Sequence, residues 1–144
     1  MKYITRSASE HEKFWLDQLR REVYHDVFLA TWGAWDEARH NRHFLSSWEM
    51  GNIKIIELDG KPVGMLQVFD LEKQIEIEEI QIAPIYQRQG LATAIIKDIL
   101  TDAQKRDKKV ALSTGLKNLG ALKLYKKLGF IETRRTDSKV YLDK

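Results

Sequence analysis

The chain has 144 residues, of which 43% are hydrophobic and 31% are charged; its net charge is +3, and it contains no cysteine. This length suits one domain, and the absence of cysteine excludes disulfides and thiolate metal sites. No apolar run approaches the roughly 20 residues that span a bilayer. Because the N-terminus also lacks the apolar stretch of a signal peptide, we predict a single cytoplasmic domain over residues 1–144 that does not associate with a membrane.

The first 70 residues predict a strand, two helices and a hairpin. Residues 3–6 suit a short strand, and Ser9 followed by Glu12 forms a capping-box pattern ahead of a helix with apolar residues at helical spacing. Gly33 interrupts this pattern, and a second helix is predicted from about 36 to 48. The pair Asp59-Gly60 lies between two β-branched runs and predicts the turn of a hairpin over 52–70.

The next strand, around residues 74–82, changes the phase of its apolar alternation. Ile75 and Ile77 follow one phase and Ile80 and Ile82 the other, with the slip at Glu78-Glu79. Because side chains alternate with a period of two, such a slip requires an extra residue, which is a β-bulge. The bulge has two interpretations: a harmless irregularity or early strand end, or a place where free backbone amides are offered to a ligand.

A glycine turn follows this strand. Pro84 ends ladder pairing, and the backbone amides of residues 87–93 then begin a helix predicted over 90–106. Helix N-termini bind anions through unpaired amides and the positive end of the helix dipole, and Gly90 allows a ligand to approach the backbone. The spacing is neither that of a P-loop nor that of a Rossmann glycine motif.

The last third predicts a short strand over 110–113, a helix over 118–128 that ends at Gly129, and a hairpin over 130–143. Taken together, the order is strand, two helices, three strands, helix, strand, helix and two strands. This order predicts an α/β protein in which a mixed sheet carries helices on its faces.

Two segments resemble one known family. The run Gln87-Arg88-Gln89-Gly90-Leu91-Ala92 is similar to the Arg/Gln-x-x-Gly-x-Gly/Ala acetyl-CoA motif of the GNAT (Gcn5-related N-acetyltransferase) superfamily. The run from Asn118 to Phe130, NLGALKLYKKLGF, is similar to a second signature of that family, at the right distance downstream. The resemblance covers essentially the whole chain and implies a mixed six- to seven-stranded sheet with about four helices. It also implies acetyl-CoA as co-substrate.

The resemblance implies which residues bind the cofactor. In this family the bulged strand and the next strand diverge, and the pantetheine arm lies between them, bonded to strand backbone. The matching positions are Ile80, Gln81 and Ile82 for pantetheine, with Asn118 nearby. The pyrophosphate positions are Gln87, Arg88, Gln89, Gly90, Leu91, Ala92 and Thr93.

The resemblance also implies catalytic residues. Tyr125 matches the family tyrosine that points at the thioester sulfur, so it is the candidate general acid, although it could serve only in packing. Glu78 is the first candidate base, followed by Glu79 and Glu76, and the alternative for all three is a solvated surface. The backbone amide near Ile82 is the candidate partner of the thioester oxygen.

The acceptor pocket is expected between the N-terminal helices and the acidic strand. Candidate wall residues, each of which could instead belong to the core, are Tyr24, His25, Trp32 and Trp35, with Glu79 as charge partner. Aromatic faces and carboxylates suit a protonated amine. No metal site is expected, because the four histidines lack a matching set of ligands.

Charge is unevenly distributed: residues 57–82 carry a net charge of −5 and residues 104–144 a net charge of +8. Ordinary solvated faces explain single charges, whereas a site between the two segments would attract an anionic ligand on one side and a cationic one on the other.

The leading prediction is an N-acetyltransferase that uses direct attack by a small-molecule or peptide amine in a ternary complex. The alternative is a non-catalytic acyl-CoA sensor; nucleic-acid binding is disfavoured because the basic residues are scattered. The resemblance leaves a homodimer open.

Overall fold

The computed structural model describes residues 2–144, and these residues form one seven-stranded mixed sheet. Its strands are β1 (Tyr3–Ser7), β2 (Ile53–Leu58), β3 (Lys61–Asp70), β4 (Gln74–Ile82), β5 (Lys109–Gly115), β6 (Ile131–Arg135) and β7 (Lys139–Asp143). They lie in the order β1-β2-β3-β4-β5-β7-β6. Strands β4 and β5 run parallel, and the other neighbouring pairs run antiparallel.

The helices are α1 (Lys13–Trp32), α2 (Glu37–Met50), α3 (Leu91–Lys105) and α4 (Leu119–Lys127), with short 3-10 turns at Glu10–Glu12 and Pro84–Tyr86. Ser9 N donates to Glu12 Oε1 (2.9 Å) ahead of α1, and Asp36 Oδ1 accepts from Arg39 N (3.0 Å) at the start of α2. The predicted element order and fold class are thereby confirmed. No helix within residues 2–144 combines the length and apolar composition needed to cross a membrane.

Two apolar clusters occupy the two faces of the sheet. Neighbouring residues Ile55 and Ile56 of β2 belong to different clusters, as alternation along a strand requires. The cluster around Ile55 includes Leu16 of α1 and Phe44 of α2, whereas the cluster around Ile56 includes Ile96 of α3 and residues of α4. Helices α1 and α2 therefore cover one face, and α3 and α4 cover the other.

The predicted bulge in β4 is confirmed. Ile77 pairs with Val68 of β3 and Glu79 pairs with Gln67, so Glu78 is the extra residue. The insertion has a packing reason, because the isoleucines before and after it all contribute to the same cluster on the α3–α4 face: Ile75, Ile77, Ile80 and Ile82.

Beyond the bulge, β4 and β5 separate. Their pairing ends at Ile77 and Leu112, and β5 then continues beside β7 alone. We call the gap between residues 78–82 and 113–115 the β4–β5 opening. Ala83 N donates to Val63 O (2.8 Å) on the β3 side. Since backbone direction alternates in an antiparallel ladder, the backbone groups of Ile80 and Ile82 point into the opening.

Candidate active site

A cavity of about 330 Å³ lies at the β4–β5 opening, and we call it the central cavity. Helices α1 and α2 form its wall on one face of the sheet, and α4 reaches it from the other face through the opening. The residues predicted from the sequence that line it are Tyr24, Trp32, Glu78, Glu79, Ile80, Asn118 and Tyr125. The structure thus brings the candidate acid, the two leading candidate bases and part of the acceptor wall into one space.

Glu79 is held in place by two donors. The Tyr24 hydroxyl donates to Glu79 Oε2 (2.7 Å), and the Gln81 side-chain amide donates to the same oxygen (3.3 Å). Burial, and after it the Glu79 charge, raise the pKa of Tyr24 well above its usual value. Tyr24 is therefore a neutral donor, and Glu79 is a fixed carboxylate at the edge of the cavity.

Glu78 differs from Glu79 because it sits on the bulge itself. Among residues 2–144, no side-chain hydrogen bond or ion pair engages its carboxylate. Desolvation, followed by the neighbouring Glu79 charge, raises the pKa of Glu78, while Lys139 acts in the opposite direction. A carboxyl group with a raised pKa and no fixed partner is suited to accept a proton.

Tyr125 lies on the opposite side of the same cavity. Its side chain is 7% exposed and packs against the ring of Phe130, with ring centroids 5.9 Å apart. Burial, and after it the Glu79 charge, raise the pKa of Tyr125 to about 12. The phenol consequently stays protonated over the working pH range and can act as a hydrogen-bond donor. Asn118 caps α4 below it, where its Oδ1 accepts from Ala121 N (3.4 Å).

The glycine turn follows the end of β4 and leads into α3. Gly90 has φ +85°, and the first i to i−4 hydrogen bond of α3 runs from Ala94 N to Gly90 O (3.0 Å). The amides of Leu91, Ala92 and Thr93 therefore have no partner within the helix, and no side chain caps this end.

Two glutamine side chains fasten this turn. Gln87 donates to the carbonyl of Ile82 (2.8 Å), and Gln89 donates to the carbonyl of Ile85 (3.2 Å). Arg88 is exposed, and with φ +61° it adopts the left-handed conformation. The side chains of Gln87 and Gln89 thus hold the loop, while Arg88 supplies its positive charge.

Three of the candidates for the acceptor wall and the base lie outside the cavity lining, as do the cofactor candidates Gln81, Ile82 and residues 87–93. Trp35 packs between α1 and α2, with its ring centroid 4.4 Å from that of Phe28 and 5.2 Å from that of His40. His25 stacks on the outer side of Trp35 and is exposed. Glu76 precedes the bulge, and its carboxylate accepts from Gln74 (2.8 Å).

Three cations that line the cavity were not predicted from the sequence: Arg20, Arg39 and Lys139. Arg20 lies one helical turn before Tyr24 on α1, so a search for polar residues at that spacing would have found it. Lys139 comes from the start of β7, and no local pattern indicates that β7 inserts between β5 and β6. In residues 2–144 there is no cluster of three or more histidine and acidic side chains arranged to hold a metal ion.

Comparison with known proteins gives a family match over most of the chain. The model of the Acetyltransferase (GNAT) family matches residues 9–130. An uncharacterized N-acetyltransferase of Methanocaldococcus jannaschii is 36% identical in an alignment of 86 residues that covers 54% of this chain and 38% of that protein. N-acetyltransferase family 8 member 3 of Mus musculus is 30% identical in an alignment of 108 residues that covers 70% of this chain and 47% of that protein. The chain thus spans less than half the length of these curated relatives.

The fold also matches solved structures. The PaiA N-acetyltransferase of Thermoplasma acidophilum, solved in complex with coenzyme A, superposes with a TM-score of 0.74 at 15% identity. The match covers 100% of this chain and 99% of that one. At this identity the likeness concerns the fold.

Proposed function

The chain belongs to the GNAT acetyltransferase family, and from that premise we propose that it is an acetyl-CoA-dependent N-acetyltransferase. Its acceptor is a primary amine of a small molecule or peptide, which attacks the thioester directly in a ternary complex. The observation that carries this proposal is the convergence of Glu78, Glu79 and Tyr125 on one cavity at the β4–β5 opening. We also propose the organisation expected from the sequence, a single cytoplasmic domain over residues 1–144.

The cofactor is proposed to enter along the opening. The amides of Leu91, Ala92 and Thr93 would bind the pyrophosphate, with Arg88 adding positive charge. The pantetheine arm would bond the backbone of Ile80 and Ile82, which points into the opening and has no strand partner on that side. The coenzyme A complex of the similar PaiA protein supports this choice of cofactor.

The thioester carbonyl is proposed to meet a backbone amide in the opening, near Ile82. Such a donor is fixed before the reaction and stabilises the negative charge that develops on oxygen during attack. Ile82 O already accepts from Gln87, which holds this part of the backbone in place.

The two glutamates are proposed to have different tasks. Glu79 is fixed by Tyr24 and Gln81, so it suits the role of a charge partner for an incoming ammonium group. Glu78 has a raised pKa and no fixed partner, so it suits proton removal from that amine, directly or through water. Tyr24 and the ring of Trp32 would form the apolar part of the acceptor wall.

Tyr125 is proposed to donate a hydrogen bond to the departing thiolate. Its pKa of about 12 lies above the roughly 8.5 of an ordinary thiol. The phenol is therefore the weaker acid of the two, which disfavours full proton transfer to the sulfur. Stabilisation by a hydrogen bond, with the proton supplied later from the amine or solvent, agrees with this order of acidity.

Steady-state release of coenzyme A thiol from acetyl-CoA across a panel of amines tests the proposal. An acetyltransferase gives amine-dependent thiol release at a rate well above hydrolysis, with stoichiometric acetylated amine. The alternative, an acyl-CoA sensor, binds acetyl-CoA with no amine-dependent release. Thiol release and binding that are both absent would reject the cofactor assignment as well.

A further inference from the structure

Arg20 is a buried cation without a carboxylate partner. Its side chain is on α1 and only 7% exposed, yet it lines the central cavity. No ion pair within 4.0 Å involves it in the described part of the chain. Because buried charges in proteins are nearly always paired, an unpaired guanidinium at a ligand cavity indicates a missing anion.

The contacts of Arg20 orient its side chain but do not neutralise its charge. Its Nη1 lies 3.1 Å from His40 Nδ1, and His40 Nε2 lies 2.7 Å from Asp17 Oδ1. The carboxylate of Asp17 requires a proton on Nε2, so neutral His40 accepts from Arg20 through Nδ1. The guanidinium also lies over the ring of Tyr24, 4.8 Å from its centroid. Arginine carries five N–H donors, so donors remain for a ligand in the cavity.

The other charged residues of the cavity lie on two sides of it, with carboxylates on one side and cations on the other. Glu78 and Glu79 lie on the β4 side, and Lys139 lies beside Glu78. Arg39 of α2 adds a second guanidinium on the α1–α2 side, stacked 4.0 Å over Trp32. The α1–α2 wall therefore presents cations, and the β4 edge presents carboxylates. His43 also lines that wall, where desolvation and the neighbouring arginines lower its pKa and keep it neutral.

We propose that Arg20 binds an anionic group of the acceptor, so that the acceptor is an amine which also carries a carboxylate close to the amine. This inference rests on the proposed acetyl transfer and narrows its substrate class. A diamine would place its second ammonium group beside buried Arg20, and like charges at such a site repel.

The geometry sets the spacing of the two acceptor groups. Tyr24 separates the charges, because its ring faces Arg20 while its hydroxyl bonds Glu79. An acceptor with its ammonium group at Glu79 and its carboxylate at Arg20 therefore separates the two groups by no more than about the length of one tyrosine side chain. Short ω-amino acids stay within this limit, as does an acidic residue at the N-terminus of a peptide.

A matched panel of acceptors tests the inference with the wild-type protein. We would compare β-alanine, γ-aminobutyrate and δ-aminovalerate with the alkylamine and the diamine of the same chain lengths, at saturating acetyl-CoA. We expect the best amino acid to exceed its matched alkylamine and diamine in kcat/KM by about 10- to 100-fold, the range of one charge-assisted hydrogen bond. A peptide amide that begins with aspartate distinguishes a peptide source from a free amino acid.

Arg20→Gln then assigns this preference to one residue. Glutamine can still donate to His40, so the helix contact is kept while the charge is removed. We expect the amino acid to lose its 10- to 100-fold advantage over the alkylamine, while KM for acetyl-CoA stays within about threefold. Arg21→Gln is the matched control, because the neighbouring Arg21 points to Asp17 and Glu37 outside the cavity. It should leave the preference unchanged.

The outcomes separate this inference from the proposed function. If amines are acetylated but the diamine equals or exceeds the amino acid, or if Arg20→Gln lowers all acceptors equally, Arg20 does not bind an acceptor anion. If no amine releases thiol, acetyl transfer is rejected. In that case, ligand-observed NMR in the presence of coenzyme A still tests the role of Arg20 in binding. We expect the wild-type protein to bind the amino acid more tightly than Arg20→Gln does. Equal binding by the two proteins would overturn the inference.

Discussion

The two halves of β4 show how one inserted residue divides a strand between structure and function. Before the bulge, residues 75–77 pair with β3 on one side and β5 on the other. After it, residues 79–82 keep β3 but lose β5, and their free edge faces the β4–β5 opening, where Glu79 and Ile80 line the central cavity. Both halves still bury isoleucines in the same core, so the core does not distinguish them.

This difference shows where a β-sheet can offer backbone hydrogen-bond donors to a ligand. A fully paired strand has no backbone donors left for a ligand, whereas a strand with one free edge offers them at fixed positions. The bulge also places two adjacent glutamates in different surroundings, one held by Tyr24 and one without a fixed partner. We therefore expect changes in the first half to affect stability and changes around the second half to affect acetyl transfer.

The largest expected effect comes from Tyr125→Phe, across the opening from the second half. The ring still packs on Phe130, and only the hydroxyl donor is lost. We expect kcat to fall by about 10²–10³-fold, the range for loss of one donor to a developing anion, with KM for acetyl-CoA changed much less. Steady-state kinetics measures both constants. Wild-type kcat in this variant would leave Tyr125 as a packing residue.

An isoleucine-to-alanine substitution in each half of β4 compares the two halves directly. Ile75→Ala removes a side chain that is 3% exposed in the paired half, and we expect a loss of about 2–5 kcal/mol in the free energy of unfolding. Its affinity for acetyl-CoA should be unchanged. Ile80→Ala, in the second half, should lose less stability because Ile80 is only partly buried, but should weaken acetyl-CoA binding.

Chemical denaturation and calorimetry separate these two effects. If Ile75→Ala weakens acetyl-CoA binding as much as Ile80→Ala does, the two halves of β4 do not divide structure from function.

Gly90→Asp tests the turn that follows the second half. A Cβ at Gly90 would meet no atom within 4 Å, so the chain stays folded despite the positive φ. The new carboxylate would face the pyrophosphate, and we expect acetyl-CoA affinity to fall by about tenfold or more. Gly90→Asn has the same shape and no charge, and it should lose much less. Unchanged affinity of Gly90→Asp in calorimetry would remove the turn from the binding site.

The smallest expected effect concerns the two glutamates at the bulge. Glu78→Gln should lower kcat/KM most at pH 6 and progressively less toward pH 9, because higher pH supplies free amine without the base. A raised pKa means that ionised Glu78 costs stability above the ordinary pKa of a glutamate, so this variant should be no less stable at pH 7.

Glu79→Gln is the matched control for that profile. It should mainly raise KM for the acceptor, with little dependence on pH. If Glu79→Gln shows the pH-dependent loss and Glu78→Gln does not, the roles of the two residues are exchanged. If neither variant changes, β4 carries no base.

The sequence predicted the fold, including the bulge in β4 and the glycine turn, because the signals for these features are local. The slip at Glu78-Glu79 is visible in the alternation of isoleucines, and the glycine turn with its following helix is visible in residues 84–106. Both features depend on residues that are close in the chain, and the structure confirms the bulge and the helix start.

The acceptor side was harder to predict because its partners are distant in the chain. Whether an aromatic residue of α1 or the following loop faces the cavity or the core depends on how α1 and α2 pack, and Trp32 and Trp35 differ in that respect. Helical spacing places Arg20 beside Tyr24 on α1, but nothing local indicates that His40 of α2 also lies beside Arg20. Lys139 was missed because sheet order is a long-range property.

Amide NMR with ¹⁵N-labelled protein and acetyl-CoA tests the central claim most directly, because both halves of β4 are observed in one experiment. We expect the amides of Ile80, Ile82 and residues 91–93 to shift strongly on saturation. The amides of Ile75 and Ile77 should shift little, because they belong to the part of β4 that is paired with β3 and β5. Equal shifts in both halves, or shifts confined to a different part of the sheet, would contradict the assignment of the β4–β5 opening as the acetyl-CoA site.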